Sequence, residues 1–518
     1  MSEMPTFAEA GSPCEAAADA DEGAAFKRLQ AQLPDQFRKV FANDHLPRTI
    51  LVIPSLSLDS EVLMRISGVH HYEERMLCLL LLLRMPKSRV IYVSSTPIAE
   101  SIIDYYLHLL PGVPSTHARR RLTMIACHDA SHRPLTEKIL ERPGVMARIR
   151  EAIPDLDAAH MSCFNMTALE RRLAVRLGLP AYGCDPDLAE LGSKSGSRKI
   201  FREAGIAMPA GFEDLGDAQE VTAALVELKR EHPSLKKAVV KLNEGFSGEG
   251  NAIFRFDGAP KGPSLAPWVR RRISDLAFEA ADMTFDDFRA KIGEMGAIVE
   301  AFIEGRQKRS PSSQHRIDPT GHVDVISTHD QVLGGGSGQI FLGCRFPADR
   351  RYRLDIQDAG QKVAMRLRDH GVLGRFGVDF ISVPTARGWR HYAIEINLRK
   401  GGTTHPFLML QFLTDGRYDS EDGVFYTASG LPRYYRASDN LEKADYRRLT
   451  PDDLIDIAVA NRLHFHGATQ QGVVFHLIGT LAEFGKLGVL CVGDSEASAD
   501  RLYRRTVAVL DRESARTS

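Results

Sequence analysis

The sequence predicts a multidomain protein that combines the α/β and α+β classes. Its 518 residues are too many for one ordinary domain, and 43% hydrophobic residues are enough for several buried cores. Strand and helix patterns alternate over the first part of the chain, which is typical of a Rossmann-like domain with a parallel sheet. The pattern then changes to strands, hairpins and interspersed helices, and a small α/β domain is expected at the C-terminus.

We divide the chain into four predicted segments. Residues 1–25 are rich in Ala, Asp, Glu and Gly and are expected to form a disordered tail. Residues 26–185 form the Rossmann-like domain, 186–415 a central domain, and 416–518 the small C-terminal α/β domain. No Lys or Arg precedes Lys27, the opposite of the basic start of a signal peptide, so a cytoplasmic protein is expected.

The Rossmann-like domain is predicted from apolar, β-branched runs that alternate with helical patterns. The predicted strands are Thr49–Ile53, Arg89–Ser94, Leu122–Cys127 and Ala158–Phe164. The predicted helices are Tyr72–Met85, Ile98–Leu110, Leu135–Glu141, Gly144–Ala152 and Ala168–Leu177. No G-x-G-x-x-G turn follows any of these strands, so we expect this domain to be a scaffold with no cofactor of its own.

Later elements are predicted from the same signals. In the central domain, a helix Ser197–Ala204 ends at Gly205, and Pro209 blocks its extension. In the C-terminal domain we expect strands Val473–Ile478 and Gly488–Val492 and a helix Ala497–Leu510.

Global composition argues against several functional classes. The formal net charge of −1 gives no general attraction for nucleic acids or acidic membranes. The longest leucine run, Leu79–Leu83, is far shorter than the roughly 20 apolar residues that span a bilayer. Seven scattered cysteines without a C-x-x-C pair indicate neither a zinc site nor a disulfide framework. We therefore expect no nucleic-acid partner and no membrane partner.

A strand followed by a glycine-rich loop is the first candidate binding element. The segment 237–250 has Lys241 near the end of an apolar strand and glycines at 245, 248 and 250. Glycine lets backbone N–H groups converge on an anion, and a lysine at the strand end adds a fixed positive charge. The pattern suits nucleotide phosphates, although a plain glycine-rich hairpin would look the same.

Two further segments carry charges in suggestive places. The short apolar strand in 297–305 has carboxylates at Glu300 and Glu304, so its backbone and Glu300 would suit an adenine edge. Taken alone, that segment is better explained as an ordinary edge strand. Lys194 stands at the start of a helix that leads into Gly-Ile-x-x-Pro, where it would reach a phosphate.

The most informative pattern is a pair of strands, 375–383 and 390–399. In the second strand Glu395, Asn397 and Arg399 alternate with Ile394, Ile396 and Leu398, so the polar groups share one face and the apolar groups face the core. Folding the hairpin brings Asp379 opposite residues 393–395. Asp379, Glu395 and Asn397 then form an all-oxygen cluster, which is the ligand set that Mg²⁺ prefers.

The order of these motifs resembles the ATP-grasp superfamily over about 190–410. Its most specific part is Glu395-Ile-Asn-Leu-Arg399. Within that superfamily, Glu395–Pro406, Ser310–Gln314 and Thr328–Gln331 resemble the pheganomycin-type peptide ligases, as does the Ile53-Pro-Ser-Leu-Ser segment. Those ligases also carry a Rossmann-like domain before the ATP-grasp domain and a small α/β domain after it.

The resemblance implies roles for the matching positions. ATP phosphates would be held by Lys194, Lys241, Gly245, Ser247, Gly248 and Gly250, and adenine by Glu300, Ala301 and Ile303. Asp379, Glu395 and Asn397 would bind Mg²⁺, while Arg399 and Lys241 would be the catalytic residues that steady the transferring phosphate. Many ATP-grasp enzymes place a further Glu after the hinge Gly to contact ribose. Here Arg306 follows Gly305, so the ribose contact moves to Glu304.

The expected activity is that of an ATP-dependent carboxylate–amine ligase. It would form an amide bond through an acyl phosphate and release ADP and phosphate, with a small-molecule or peptide carboxylate donor and an amine acceptor as partners. A small-molecule kinase with the same ATP site, and a non-catalytic nucleotide-binding regulator, are the alternatives. A homo-oligomer is possible. His405 would contact the acyl phosphate or cap a turn, and the loop Leu333–Gly338 would cover an acceptor or form a plain turn.

Overall fold

The computed structural model describes residues 13–41, 43–58, 60–245, 250–280, 283–305, 307–334 and 340–516. Its strands form three sheets, one in the N-terminal domain and two in the rest of the chain. No helix in those ranges is both long enough and apolar enough to cross a membrane.

The N-terminal sheet is parallel and has four strands in the order β3-β2-β1-β4. These are β1 Arg48–Ile53, β2 Ser88–Ser94, β3 Leu122–Ala126 and β4 Ala159–Cys163. Every residue of the inner strand β1 and of the edge strand β4 is buried, as expected for a parallel sheet covered on both faces. The predicted Rossmann-like domain is confirmed.

Helices flank this sheet and precede it. They are α1 Pro13–Gln30, α2 Leu33–Gln36, α3 Ser60–Arg65, α4 Glu100–His108, α5 Ser115–Arg119, α6 Leu135–Leu140, α7 Pro143–Ala152 and α8 Ala168–Leu177, with a short π-helix Phe37–Phe41. The apolar segment predicted as helix Tyr72–Met85 is a 3-10 helix, Val69–Arg84, which packs on β2 and against a later helix of the central domain.

Helix α1 corrects the prediction of a disordered tail over residues 1–25. From Pro13 onward the chain is helical, and residues 1–12 lie outside the described ranges. Glu22 pairs with Arg171 at 3.6 Å and Arg172 at 3.0 Å, and Phe26 is buried in the N-terminal core. The acidic composition predicted that this segment would have nothing to pack against the body of the protein. In the structure, however, arginines of α8 neutralise the Glu22 side chain.

The central region begins with a five-stranded sheet in the order β5-β9-β6-β7-β8. Its strands are β5 Gly211–Leu215, β6 Lys237–Leu242, β7 Asn251–Arg255, β8 Ala277–Phe278 and β9 Ala297–Ala301. Its helices are α9 Lys194–Glu203, α10 Ala218–Glu231, α11 Leu265–Arg272 and α12 Phe285–Met295, and short 3-10 helices lie at Pro186–Gly192, Gly262–Ser264 and Ile273–Asp275. Helix α9 begins three residues before the predicted start at Ser197, because the Ser193 hydroxyl caps it by accepting from Gly196 N.

The largest sheet has ten strands and continues through the predicted boundary at residue 415. It contains β10 Pro311–Ile317, β11 Val323–Gly334, β12 Ile340–Phe346, β13 Gly374–Thr385, β14 Gly388–Asn397, β15 Arg417–Asp419, β16 Val424–Tyr426, β17 Pro432–Glu442, β18 Gly472–His476 and β19 Lys486–Gly493. Strand β17 pairs with β12 of the central region, so the C-terminal strands extend a central sheet. The remaining helices are α13 Arg353–Asp369, α14 Thr404–Thr414, α15 Pro451–Ala460, α16 Leu481–Phe484 and α17 Glu496–Arg516, with 3-10 helices at Ala444–Arg448 and Ile478–Thr480.

Candidate functional site

The hairpin of β13 and β14 positions the predicted metal ligands. Asp379 lies directly opposite Glu395, and Gly377 lies opposite Asn397, which confirms the predicted register. The pairing is interrupted between Asp379 and Phe380, so the strand β14 carries an extra residue, Ile394, at a bulge.

The bulge corrects one detail of the predicted alternation. Ile394 was expected in the core, but it is only partly buried and lines the cleft next to Glu395. Ala393, on the other side of the bulge, is buried instead, and Ile396 is buried as predicted. The extra residue shifts the alternation of the strand by one position.

The two facing carboxylates strongly influence each other. Burial and the adjacent charge of Glu395 raise the pKa of Asp379 to about 7. The Asp379 side chain accepts hydrogen bonds from the amides of Gln331 at 2.9 Å and Asn397 at 3.1 Å. Burial alone would raise the pKa of Glu395 too, but Lys194, together with Lys241 and Arg399, lowers it.

Lys194 links helix α9 to this hairpin. Its ammonium group lies 2.5 Å from Glu395 Oε1, although the two residues are 201 positions apart. Asn243, just after β6, fixes the start of the helix, because its carbonyl oxygens accept from Lys194 N at 3.1 Å and from the Ser195 hydroxyl at 2.7 Å. The helix start, the β6 end and the hairpin therefore converge at one place.

Lys241 and Glu300 form a buried ion pair between the adjacent strands β6 and β9. The other carboxylate oxygen of Glu300 lies 3.7 Å from Arg198, whose guanidinium also pairs with Glu213 at 3.0 Å. Glu300 thus holds two cations in place. Its predicted contact with adenine stays a prediction.

The segment after β9 has some of its backbone already engaged. Ala301 N–H donates to Ala210 O at 2.7 Å, and Phe302 N–H donates to Lys237 O at 3.1 Å. Since these two N–H groups are engaged, an adenine contact by this backbone would have to use its carbonyl groups or Ile303. Glu304 is 58% exposed and 4.0 Å from Lys237, and it is not among the residues that line the cleft, so its ribose role has no geometric support here.

A cleft of about 1820 Å³ collects most of the predicted site. The predicted residues that line it are Lys194, Lys241, Gly245, Gly250, Glu300, Ala301, Ile303, Asp379, Glu395, Asn397 and Arg399. Ser247 and Gly248 lie outside the described residues, as does most of the loop Leu333–Gly338. Gly250 O accepts from Leu242 N at 2.9 Å, which anchors the far end of the glycine loop to β6.

The donor chemistry of this cleft fits a divalent cation and a polyphosphate. Two facing carboxylates in a partly buried place repel unless a cation neutralises them. The pKa of Asp379 is raised first by burial and second by the charge of Glu395. Oxygen ligands from Asp379, Glu395 and Asn397 match a magnesium ion. Lys194, Lys241 and Arg399 on the same cleft supply the positive charge that phosphates require.

Several cleft residues escaped the sequence analysis. Gln331 orients Asp379, and Lys308 approaches the Phe302 ring at 4.2 Å while donating to Ile303 O at 3.1 Å. Arg75 and Asp439 come from the N-terminal domain and the C-terminal region. The segments around Arg75 and Asp439 carry no local motif, so these two residues are identified only by their position in the cleft.

Two family models and two relatives match this chain. A family model described as "IQCH-like, ATP-grasp" matches residues 186–257 and 265–421, and one described as "PGM1 C-terminal domain" matches residues 453–506. The L-propargylglycine–L-glutamate ligase of Streptantibioticus cattleyicolor is 31% identical over 473 residues, covering 89% of this chain and 94% of that protein. The IQ motif-containing protein H of Danio rerio is 23% identical over 412 residues, covering 71% of this chain and 38% of that protein.

Solved structures show the same fold. An N5-carboxyaminoimidazole ribonucleotide synthetase in complex with ADP has a TM-score of 0.50 at 13% identity, covering 90% of this chain and 98% of that one. The biotin carboxylase domain of the Hydrogenobacter thermophilus 2-oxoglutarate carboxylase also has a TM-score of 0.50, at 14% identity with 88% of each chain covered. Taken with the full-length relative, these matches establish that the chain belongs to the ATP-grasp superfamily, among its carboxylate–amine ligases.

Proposed function

We propose that this protein is an ADP-forming ligase that joins the carboxylate of one amino acid or short peptide to the amine of another. The observation that carries the proposal is the facing pair Asp379 and Glu395 in a cleft that also presents Lys194, Lys241 and Arg399. This arrangement supplies oxygen ligands for a cation and positive charge for a transferring phosphate. A protein that merely bound nucleotide would not need such a cluster.

The proposed chemistry follows from the poor reactivity of a carboxylate. Direct attack by an amine would have to expel oxide, whereas transfer of the ATP γ-phosphate gives an acyl phosphate with a good leaving group. The amine then attacks the acyl carbon, and phosphate leaves. No covalent enzyme intermediate is required, so the protein contributes positioning and charge neutralisation.

The side chains divide this work between them. Mg²⁺, when held by Asp379, Glu395 and Asn397, would neutralise charge on the β- and γ-phosphate oxygens. Lys241 and Lys194 would bind phosphate oxygens, and Arg399, which is partly buried and lines the same cleft, would steady the group in transfer. Glu300 holds Lys241 in place by pairing with it.

The substrates are proposed from a relative. The similar ligase from Streptantibioticus cattleyicolor is named for L-propargylglycine and L-glutamate, both of which are amino acids. We infer that this chain also takes an amino acid or a peptide on each side of the new bond. A cytoplasmic location, where ATP and reduced thiols are available, fits the six cysteines whose side chains are described, which are all free.

Analysis of products tests the proposed function. The enzyme would be incubated with ATP, Mg²⁺ and each of the twenty common L-amino acids, with and without hydroxylamine, and the nucleotide followed by ³¹P NMR. We expect ADP and phosphate, and an amino-acid hydroxamate whenever hydroxylamine is present, because hydroxylamine traps acyl phosphates. AMP with pyrophosphate would indicate adenylation instead, and ADP with a stable phosphorylated product but no hydroxamate would indicate a kinase.

A further inference from the structure

The cleft is also lined by residues that the nucleotide site does not use. Arg75 lies in the 3-10 helix Val69–Arg84, and its Nη2 is 2.8 Å from Asp439 Oδ2 on β17. Both side chains are largely buried, with 11% of Arg75 and 5% of Asp439 exposed. This ion pair joins the N-terminal domain to the C-terminal region at the wall of the cleft.

Two buried histidines hold Asp439 from the other side. His476 Nε2 lies 2.9 Å and His405 Nε2 3.2 Å from Asp439 Oδ1. Burial lowers the pKa of His405 to about 4, so this imidazole is neutral near pH 7. His476 is hydrogen-bonded to Asp439, and His405 Nε2 also lies 3.0 Å from His476 Nε2. Asp439 is therefore held by the two imidazoles at one oxygen and by Arg75 at the other.

The plane of the Arg75 guanidinium is fixed as well. Its Cζ lies 4.4 Å from the centroid of the Tyr72 ring, and the Tyr72 hydroxyl accepts from Lys486 Nζ at 2.8 Å. Asp439 and the Tyr72 ring hold the guanidinium, and Lys486 in turn holds Tyr72. The guanidinium therefore cannot rotate freely. Such pre-organisation is typical of a guanidinium that recognises a planar anion.

The same helix carries a second interdomain ion pair, which can be compared with the pair of Arg75 and Asp439. Arg84 Nη1 lies 2.8 Å from Asp415 Oδ1, so it too links the helix to a later part of the chain. Arg84 is not among the residues that line the cleft, and its partner Asp415 is 74% exposed. An ion pair can therefore link this helix to a later part of the chain without being buried and without histidines beside it, as Arg84 and Asp415 do.

Arg75 and Arg399 line the same cleft. A smaller pocket that shares Arg75 and Gly401 with this cleft is also lined by Lys400, the residue directly after Arg399. Like charges in a confined cleft repel, and an anion bound between them relieves the repulsion.

A metal ion among His405, Asp439 and His476 is the competing interpretation, because their ligand atoms lie within 4.8 Å of one another. Arg75 already neutralises Asp439 at 2.8 Å, so a dication there would be buried beside a guanidinium. The two imidazoles add no negative charge to offset it. The charge balance therefore argues against a metal site and favours a role of these three residues in positioning Arg75.

We propose that Arg75 binds the carboxylate of the acyl donor next to Arg399, and that Asp439, His405 and His476 are positioning residues for Arg75. The inference rests on the proposed function, since it assigns the substrate end of the same cleft. It makes the N-terminal domain, which carries no glycine fingerprint, a contributor of substrate specificity. The ligand class is a free carboxylate of an amino acid or peptide.

Kinetics with hydroxylamine as the amine test this assignment, because the amino acid is then the only organic substrate besides ATP. The probe is whichever of the twenty L-amino acids gives most hydroxamate with the wild type. For Arg75→Lys, which keeps the charge but loses the fork of donors, we expect the KM for that amino acid to rise about 10- to 100-fold. The KM for ATP should stay within about twofold, and kcat should change less than KM.

Matched variants separate binding from structure. Asp439→Asn should raise the same KM in the same direction, and Tyr72→Leu, a milder change on a partly exposed ring, serves if the buried variants do not fold. Arg84→Lys, which alters the comparable ion pair outside the cleft, should keep wild-type constants. Every variant is first checked for the wild-type rise in melting temperature with MgATP.

The outcomes are distinct. If the wild type gives no hydroxamate with any amino acid, the proposed function fails and this assignment fails with it. If the wild type gives hydroxamate and Arg75→Lys keeps its KM for the amino acid, only the role of Arg75 is overturned. A rise confined to the KM for ATP, or a rise seen only for the acceptor amine in peptide formation, also overturns it.

Discussion

At the scale of single residues, the cleft face of β14 makes the most direct prediction. Glu395→Gln and Asn397→Ala should each lower ATP turnover about 10²- to 10³-fold, the size expected when one pre-organised charge or ligand is lost. The melting temperature should change little, because both side chains face the cleft. Steady-state ADP release and thermal unfolding would measure the two effects.

A control on a neighbouring element sharpens that experiment. Glu203 ends helix α9 and pairs with exposed His370 at 2.9 Å, away from the cleft, so Glu203→Gln should keep full activity. Near wild-type turnover in Glu395→Gln or Asn397→Ala would contradict the assignment of these residues to the metal.

Glu73 predicts a pH dependence of stability. It is buried and accepts from Ser95 N at 2.7 Å and from the Ser95 hydroxyl at 2.5 Å, and burial raises its pKa from 4.5 to about 7. The folded protein therefore binds a proton over a window where the unfolded chain has lost it. Stability should fall as pH rises from about 4.5 to about 7, by at most about 3 kcal/mol from this group.

The variant Glu73→Gln checks the sign of this effect. It has no proton to lose, so it should lose less stability than the wild type between pH 5 and pH 7.5. Thermal unfolding at both pH values measures the difference. The same change of melting temperature with pH in variant and wild type would show that Glu73 does not titrate in this range.

At the scale of elements, helix α1 reverses an expectation based on composition. The side chain of Glu22 is only 14% exposed and lies between Arg171 and Arg172 of α8. Glu22→Gln should therefore destabilise the protein by about 1–2 kcal/mol, because a partly buried pair of arginines loses its counter-charge. Deletion of residues 1–24 should cost at least as much.

Asp21 provides the matched control for that helix. It precedes Glu22 and is exposed, so Asp21→Asn should leave the unfolding free energy unchanged within about 0.5 kcal/mol. Denaturant unfolding of the three proteins compares them directly. Equal stability of Glu22→Gln and the wild type would show that the Glu22 ion pairs do not stabilise the protein, as expected for a dispensable tail.

At the scale of the whole molecule, the ten-stranded sheet makes the C-terminal region indispensable. Strand β17 pairs with β12 and β19, and Phe346 stacks on Tyr435 with ring centroids 4.8 Å apart. A chain that stops at residue 415 would leave β12 with an unpaired edge and expose Phe346. We expect that fragment to aggregate or to unfold without a cooperative transition.

Co-expression tests whether the missing strands are the cause. Supplying residues 416–518 as a separate chain should restore solubility, which gel filtration and circular dichroism would show. A soluble, cooperatively folded 1–415 fragment would mean that the central region closes its sheet without the C-terminal strands, as the predicted boundary at 415 implies.

How much of the site was predictable depended on how local its signal was. The facing of Asp379 and Glu395 followed from a period of two along β14 and a short hairpin turn. Within this hairpin the predicted position of Ile394 was wrong, because a bulge depends on how two strands fit together and leaves no reliable mark in the sequence of either strand.

The sequence by itself determined the Rossmann-like strands, the hairpin with its oxygen ligands and the family, because each rests on residues a few positions apart whose backbone periodicity sets their direction. The tertiary structure alone decided which charges meet. Lys194 and Glu395 are 201 residues apart, and Arg75 reaches Asp439 from another domain. Such pairs form because packing brings distant segments into one desolvated cleft, where every charge must find a partner, and no local pattern encodes that encounter.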